Sequence, residues 1–147
     1  MNNLHSFYIW QENLFSKFIN LNNVAMLFAR LYVIKIFFLS GLTKIRDWDS
    51  TLFLFQEEYK VPLIPPELAA YLGTGGELLL PLLLLLGLLT RFASLGLFIV
   101  NIVAAISLPE ISQAAISQHC LWATLLLILI IQGGGKFALD FRLNRLQ

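Results

Sequence analysis

The sequence predicts an all-α fold: a four-transmembrane-helix bundle with an N-terminal interfacial amphipathic helix and a short amphipathic helix in the loop between spans one and two. Three observations carry that expectation. Hydrophobic residues make up 58% of the 147 residues and the mean hydropathy is +0.75, above the roughly 45–50% apolar content of soluble domains. The excess is gathered into blocks at about 24–41, 67–89, 92–108 and 119–132. The longest block, 67–89, has 23 residues, and a helix needs about 20 to cross the hydrocarbon of a bilayer. The length suits a single domain.

Residues 4–21 carry Phe7, Trp10, Leu14, Phe18 and Leu21 at helical spacing. That pattern predicts a helix lying in the membrane interface, with Tyr8 and Trp10 at headgroup level, or packed on the rim of the bundle. The segment lacks a basic stretch followed by a clean apolar core, so no cleaved signal peptide is expected. Span one (24–41) is interrupted by Arg30 and Lys35, which lie about 140° apart around a helix. Arg30, Phe37, Gly41 and Lys44 share one side, the side expected to face the bundle. Lys35 needs an internal partner, a route to water along its stem, or a thinned bilayer.

After Lys44 the chain turns polar, and Trp48, Leu52, Phe55 and Tyr59 form the stripe of an amphipathic helix. Asp49 or Ser50 is the expected cap. The prolines in VPLIPP (61–66) end that helix and lead into span two. There Ala70, Gly73, Glu77, Pro81 and Leu84 fall on about one face, and the small residues beside Glu77 permit close approach of another helix. A tight hairpin at 87–91 joins span three, whose Asn101 is expected to hydrogen-bond between helices. Pro109 and Glu110 close it, 111–118 reads as a connection, and span four follows. GGGK at 133–136 lacks the spacing of a phosphate loop and reads as the end of the last helix.

Net charge is +1 with no basic cluster, which argues against nucleic acid as a partner. Cys120 is alone, so an intramolecular disulfide and a Cys-based metal cluster are excluded. No metal site is expected. With His5 at the far terminus from His119, a haem held by both is disfavoured. Both termini share a membrane side, and five Lys/Arg against three place that side inside.

The central candidate is Glu77, because a carboxylate within a span costs a few kcal/mol unless neutralised. Antiparallel spans put Arg30 roughly 10 Å and Glu77 roughly 18 Å above the inner edge, at 1.5 Å rise per residue. The residual offset of about 8 Å is within the combined reach of the two side chains. An intramembrane Arg30–Glu77 ion pair is therefore expected, with Lys35 or Lys44 as competing partners. Such a pair either does chemistry or only fixes helix register. His119 is a candidate proton-transfer or ligand hydrogen-bonding group, or an interfacial histidine with no ligand.

The chain resembles the DoxX family of small four-helix membrane proteins. The resemblance runs through LFARLYVIKIFFLSGLTKI, GELLLPLLLLLGLLTRFA and GGGKFALDF. It rests on Arg30, Gly41 and Lys44; on Glu77, Gly87, Thr90 and Arg91; and on Gly133, Gly135, Lys136 and Asp140. Gly134 stands where the family often has proline, and Ala138 where serine is usual. The resemblance implies a protein of the bacterial inner membrane. Some members are similar to a subunit of thiosulfate:quinone oxidoreductase, others accompany membrane redox complexes or operons for modified metal-binding peptides.

The leading expectation is thus a subunit of a redox or oxidative-stress-associated complex. Glu77 and Arg30 form the reactive pair, and Lys44, Lys35, Asn101 and His119 are candidate ligand-binding groups. The pocket they line is expected to hold a quinone-like ligand or to form a proton path, with no covalently bound cofactor. Membrane lipids and another subunit or a second copy are the expected partners. The alternatives are a non-catalytic anchor that docks a partner through the loop 48–66, and a transporter of small molecules or metallophores.

Overall fold

The computed structural model describes residues 5–7, 9–12 and 19–143. Residues 5–7 and 9–12 are helical, with the Phe7 and Trp10 rings stacked 6.0 Å apart. Residues 4, 8 and 13–18 of the expected amphipathic helix lie outside the described residues. From residue 19 onward the elements are α1 (Ile19–Arg46), α2 (Trp48–Glu57), α3 (Pro66–Leu86), α4 (Thr90–Ser107), α5 (Gln113–Gln132) and α6 (Leu139–Leu143). No strand occurs among the described residues. α1, α3, α4 and α5 are each long and apolar enough to cross a membrane, and they are the four expected spans. Large apolar side chains such as Leu79, Phe92 and Ile131 are exposed on their outward faces. On a soluble protein so much exposed apolar surface would drive association; here it is the surface that lipid covers.

α1 packs chiefly along α3 and α4 along α5, while α3 against α4 joins the two pairs. Val33, Phe37, Leu84, Leu97, Leu126 and Leu129 fill the core between them. The inward faces are those the helical period predicts. Arg30, Phe37 and Gly41 of α1 are buried, as are Ala70, Glu77, Pro81 and Leu84 of α3. The α1–α3 contact is close because Gly41 has no side chain. A Cβ there would lie 2.9 Å from Leu78 and 3.2 Å from the Glu77 Cβ.

Two helices run further than the apolar blocks suggest. α1 continues through Gly41 to Arg46, so Lys44 is on a helix rather than beyond one. α5 begins at Gln113 because the Ser112 side chain caps it, accepting from the Ala115 N–H at 3.2 Å. His119 therefore sits well inside that helix. The cap of α2 is Asp47, not Asp49 or Ser50. Its carboxylate accepts from the Ser50 Oγ at 2.6 Å and the Ser50 N–H at 3.0 Å, and these bonds hold the Asp47 carboxyl below its usual range. The apolar stripe of α2 lies on the start of α3, with Phe55 against Ala69 and Ala70. A hydrogen bond from the Lys60 N–H to the Ser107 carbonyl (2.8 Å) ties the following loop to the end of α4. The result is a cap of α2 and loop over one end of the bundle.

Candidate functional site

Beneath that cap lies a cavity of about 440 Å³. Phe37, Phe55, Ile99, Val100, Val103 and Trp122 give it apolar walls, and Lys44, Tyr59, Glu77 and His119 bring polar groups to the same space. The helices dictate this grouping. Gly41 brings α1 onto α3 at the level of Glu77, and Lys44, about one turn further along α1, then stands beside that carboxylate. Lys44 Nζ donates to Glu77 Oε2 at 2.6 Å and to Ser40 Oγ at 2.8 Å. The ammonium neutralises the buried carboxylate at short range, which permits an acid inside a span.

Tyr59 is outside the spans, where the loop folds over the cavity. Burial, followed by the charges of Glu58 and Glu77, pushes its phenol above the ordinary value. At neutral pH it is an intact hydroxyl that can donate or accept. On the α5 side, His119 is held by Asn101 of α4. The Asn101 Nδ2 donates to the His119 carbonyl at 3.0 Å, and its Oδ1 lies 2.8 Å from His119 Nδ1. Asn101 is thus the interhelical hydrogen-bonder that its place in span three suggests. The His119 and Trp122 rings meet edge to face with centroids 5.0 Å apart.

The expected Arg30–Glu77 pair does not form. Arg30 is buried at the other end of α3, donating to the carbonyls of Leu85 (3.4 Å) and Gly134 (3.2 Å). Leu85 is eight residues from Glu77, about 12 Å along a helix. The sequence estimate takes spans one and two as flush at the inner edge. In the structure α1 overhangs the α3–α4 hairpin, and Met26 and Asn23 of α1 pack beside Gly135 instead. Arg30 thereby moves down to the hairpin and leaves Glu77 to Lys44. Lys35 is exposed on the outer face of α1, away from the cavity, with no ion pair among the described residues.

Arg30 belongs to a second arrangement that joins three separate sequence motifs. α4 starts from Leu89 in a left-handed conformation (φ 48°) with no capping side chain of its own. Asp140, about fifty residues later, supplies the cap. Its Oδ1 accepts from the Leu89 N–H (2.8 Å) and its Oδ2 from the Thr90 N–H (2.7 Å), while its charge acts on Arg30. The Asp140 N–H in turn donates to the Gly87 carbonyl at 2.9 Å. Gly133 ends α5, as expected of the glycine run, and the run also lets the chain double back onto Arg30. A Cβ on Gly134 would lie 2.6 Å from the Ala138 Cβ and 3.0 Å from Arg30 Nη1. Replacing Asp140 by alanine is expected to cost about 1–2 kcal/mol, the worth of a helix cap. The check is a lower melting temperature in detergent with faster proteolysis after residue 132; unchanged values would refute the cap.

Sequence reasoning placed Glu77, Lys44 and His119 among the candidates but did not find Tyr59 or Trp122 as cavity residues. Tyr59 reads as part of an apolar stripe and Trp122 only as one residue of the fourth apolar block, and only the closure of the loop over the bundle brings Tyr59 to Glu77. No group of three or more His, Cys, Asp or Glu side chains able to hold a metal occurs among the described residues.

The architecture is that of a small four-span membrane protein with an acid–base pair in the wall of an apolar cavity. The DoxX family model matches residues 25–110, and the chain belongs to that family. A Haemophilus influenzae protein, described as uncharacterized, is 34% identical over 128 residues, covering 81% of this chain and 83% of that protein. No solved structure matches the chain.

Proposed function

We propose that this protein is an inner-membrane subunit of a redox or oxidative-stress-associated complex, whose cavity receives the ring of a quinone-type ligand. The observation that carries the reading is the Lys44–Glu77 pair at 2.6 Å in the wall of an otherwise apolar space of about 440 Å³. Pockets for small ligands fall in the range of roughly 300–1,000 Å³, with apolar walls and a few convergent polar groups. An isoprenoid quinone has that division: a flat ring with two oxygens, and an apolar tail that lipid can accommodate. Lys44 and Glu77 are a ready proton donor and acceptor, while the electrons would come from the redox group of another subunit. Arg30 has no part in this site; its work is to hold the C-terminal segment on the hairpin. Basic residues near the termini and the 87–91 hairpin support termini on the cytoplasmic side.

The test is titration of protein in lipid nanodiscs with decylubiquinone, followed by quenching of Trp122 fluorescence. Saturable quenching is expected for the native protein, with Glu77→Gln weakening affinity roughly tenfold, about 1.4 kcal/mol. Gly73→Leu is a steric control. Gly73 lines the cavity, and a Cβ there meets only Phe55 at an ordinary 3.7 Å. The larger side chain should fill the space, abolish quenching and keep the fold. Unaltered binding by both variants would place the ring elsewhere.

A second reading, an assembly partner that docks another protein on the 48–66 loop, is favoured by one observation. Leu63 is 102% exposed at φ 71°, with Phe53 of α2 also exposed.

A further inference from the structure

We infer that the cavity selects the reduced, dihydroxy form of its ring ligand, with His119 Nε2 and the second Glu77 oxygen as hydrogen-bond acceptors and Asn101 as the positioning residue. This deepens the quinone reading above and rests on it for the identity of the ligand, but the proton on His119 Nδ1 follows from geometry alone. A backbone carbonyl only accepts. The Asn101 atom 3.0 Å from the His119 carbonyl must therefore be the amide nitrogen. That fixes the other amide atom, 2.8 Å from His119 Nδ1, as oxygen. Oxygen in that position only accepts, so Nδ1 carries the proton. In the neutral ring the lone pair is then at Nε2, and Nε2 has no hydrogen-bond partner among the described residues.

Glu77, on a different helix lining the same cavity, also presents an acceptor. Lys44 engages Oε2, and Oε1 has no partner among the described residues. With the imidazole neutral and the carboxylate ionised, both atoms only accept while Asn101 and Lys44 stay in place. Two fixed acceptors in one cavity call for a ligand with two donors, while the indole N–H of Trp122, another lining residue and unpartnered among the described residues, can meet an oxygen of either form. A quinol offers two O–H groups, whereas a quinone offers two carbonyl acceptors and leaves both atoms unsatisfied. Buried acceptors left unpaired are the usual basis for rejecting an isosteric ligand that lacks the hydroxyl. A cationic ligand suits the site less well, because Lys44 already neutralises Glu77. The hydroxyl of Tyr59 is indifferent, since it adapts to either form.

The experiment has two arms on the full chain in nanodiscs. Nitrogen-15 NMR of histidine-labelled protein reads the tautomer directly, since only His5 and His119 contribute. The expected result is Nδ1–H with an unprotonated Nε2 for His119, lost in Asn101→Leu. An Nε2–H signal, from the other tautomer or from imidazolium, overturns the inference. In the second arm, decylubiquinol and decylubiquinone are compared anaerobically. The native protein is expected to bind the quinol at least tenfold more tightly, with His119→Phe and Asn101→Leu bringing that ratio close to one. Equal affinity for the two forms in the native protein overturns this inference and leaves the ring-binding proposal standing. Failure to bind either form overturns both.

Discussion

Replacing Lys44 by methionine is expected to destabilise the folded protein by about 3 kcal/mol, the lower end of the 3–5 kcal/mol range for breaking a buried ion pair. The lower end applies because the Lys44 side chain is 20% exposed, against 8% for Glu77. Methionine keeps most of the apolar stem and removes only the charge, so the loss isolates what the ammonium does for the carboxylate. At roughly 2–4 °C per kcal/mol for a chain of this size, melting in detergent should fall by about 6–12 °C. The double variant with Glu77→Leu should recover most of that loss, since it leaves no orphaned charge among the helices. A thermodynamic cycle over the four proteins measures the coupling. If Lys44→Met melted with the native protein, the pair would not be what permits an acid in α3. The same contrast separates this pair from the expected one. Arg30 makes no contact with Glu77, and its loss should leave ligand binding in the cavity intact.

The second large effect is expected at Gly87, where two independent costs fall on one position. Its φ of +68° suits glycine and strains any residue with a Cβ. A Cβ would also stand 2.6 Å from the Ala138 Cα and 2.9 Å from Arg30 Nη1. The first of these is a backbone atom, which no rotamer change relieves. Gly87→Val should therefore cost the left-handed strain of about 1–2 kcal/mol and also undock the C-terminal segment. Both appear as a lower melting temperature with rapid cleavage in 133–143. Gly75→Ala is the control, because nothing lies within 4 Å of a Cβ there and alanine favours a helix by up to about 1 kcal/mol. Native behaviour in Gly87→Val would mean that the hairpin and the C-terminal segment are not packed as described.

Much of this was legible in the residues. Apolar blocks long enough to span a bilayer became α1, α3, α4 and α5, and helical spacing named the inward faces of α1 and α3. Asn101 and Glu77 stood out because a polar group in a span must find a partner. The limits were of one kind. Ser112 extended α5 past the apolar block because a hydroxyl cap, not hydropathy, sets where a helix begins. Asp140 reads in sequence only as part of a motif, since a cap supplied from fifty residues away has no local signature.

The sequence by itself determined that four helices are fit to cross the membrane, which side of the first two turns inward, and that a carboxylate in the second crossing needs a cation. Only the tertiary structure decided which cation. Helical periodicity reports angle around an axis but carries no information about the axial offset between two helices. Here that offset comes from the overhang of α1 and from Gly41 seated against Leu78, which set Lys44 beside Glu77 and Arg30 beside the hairpin.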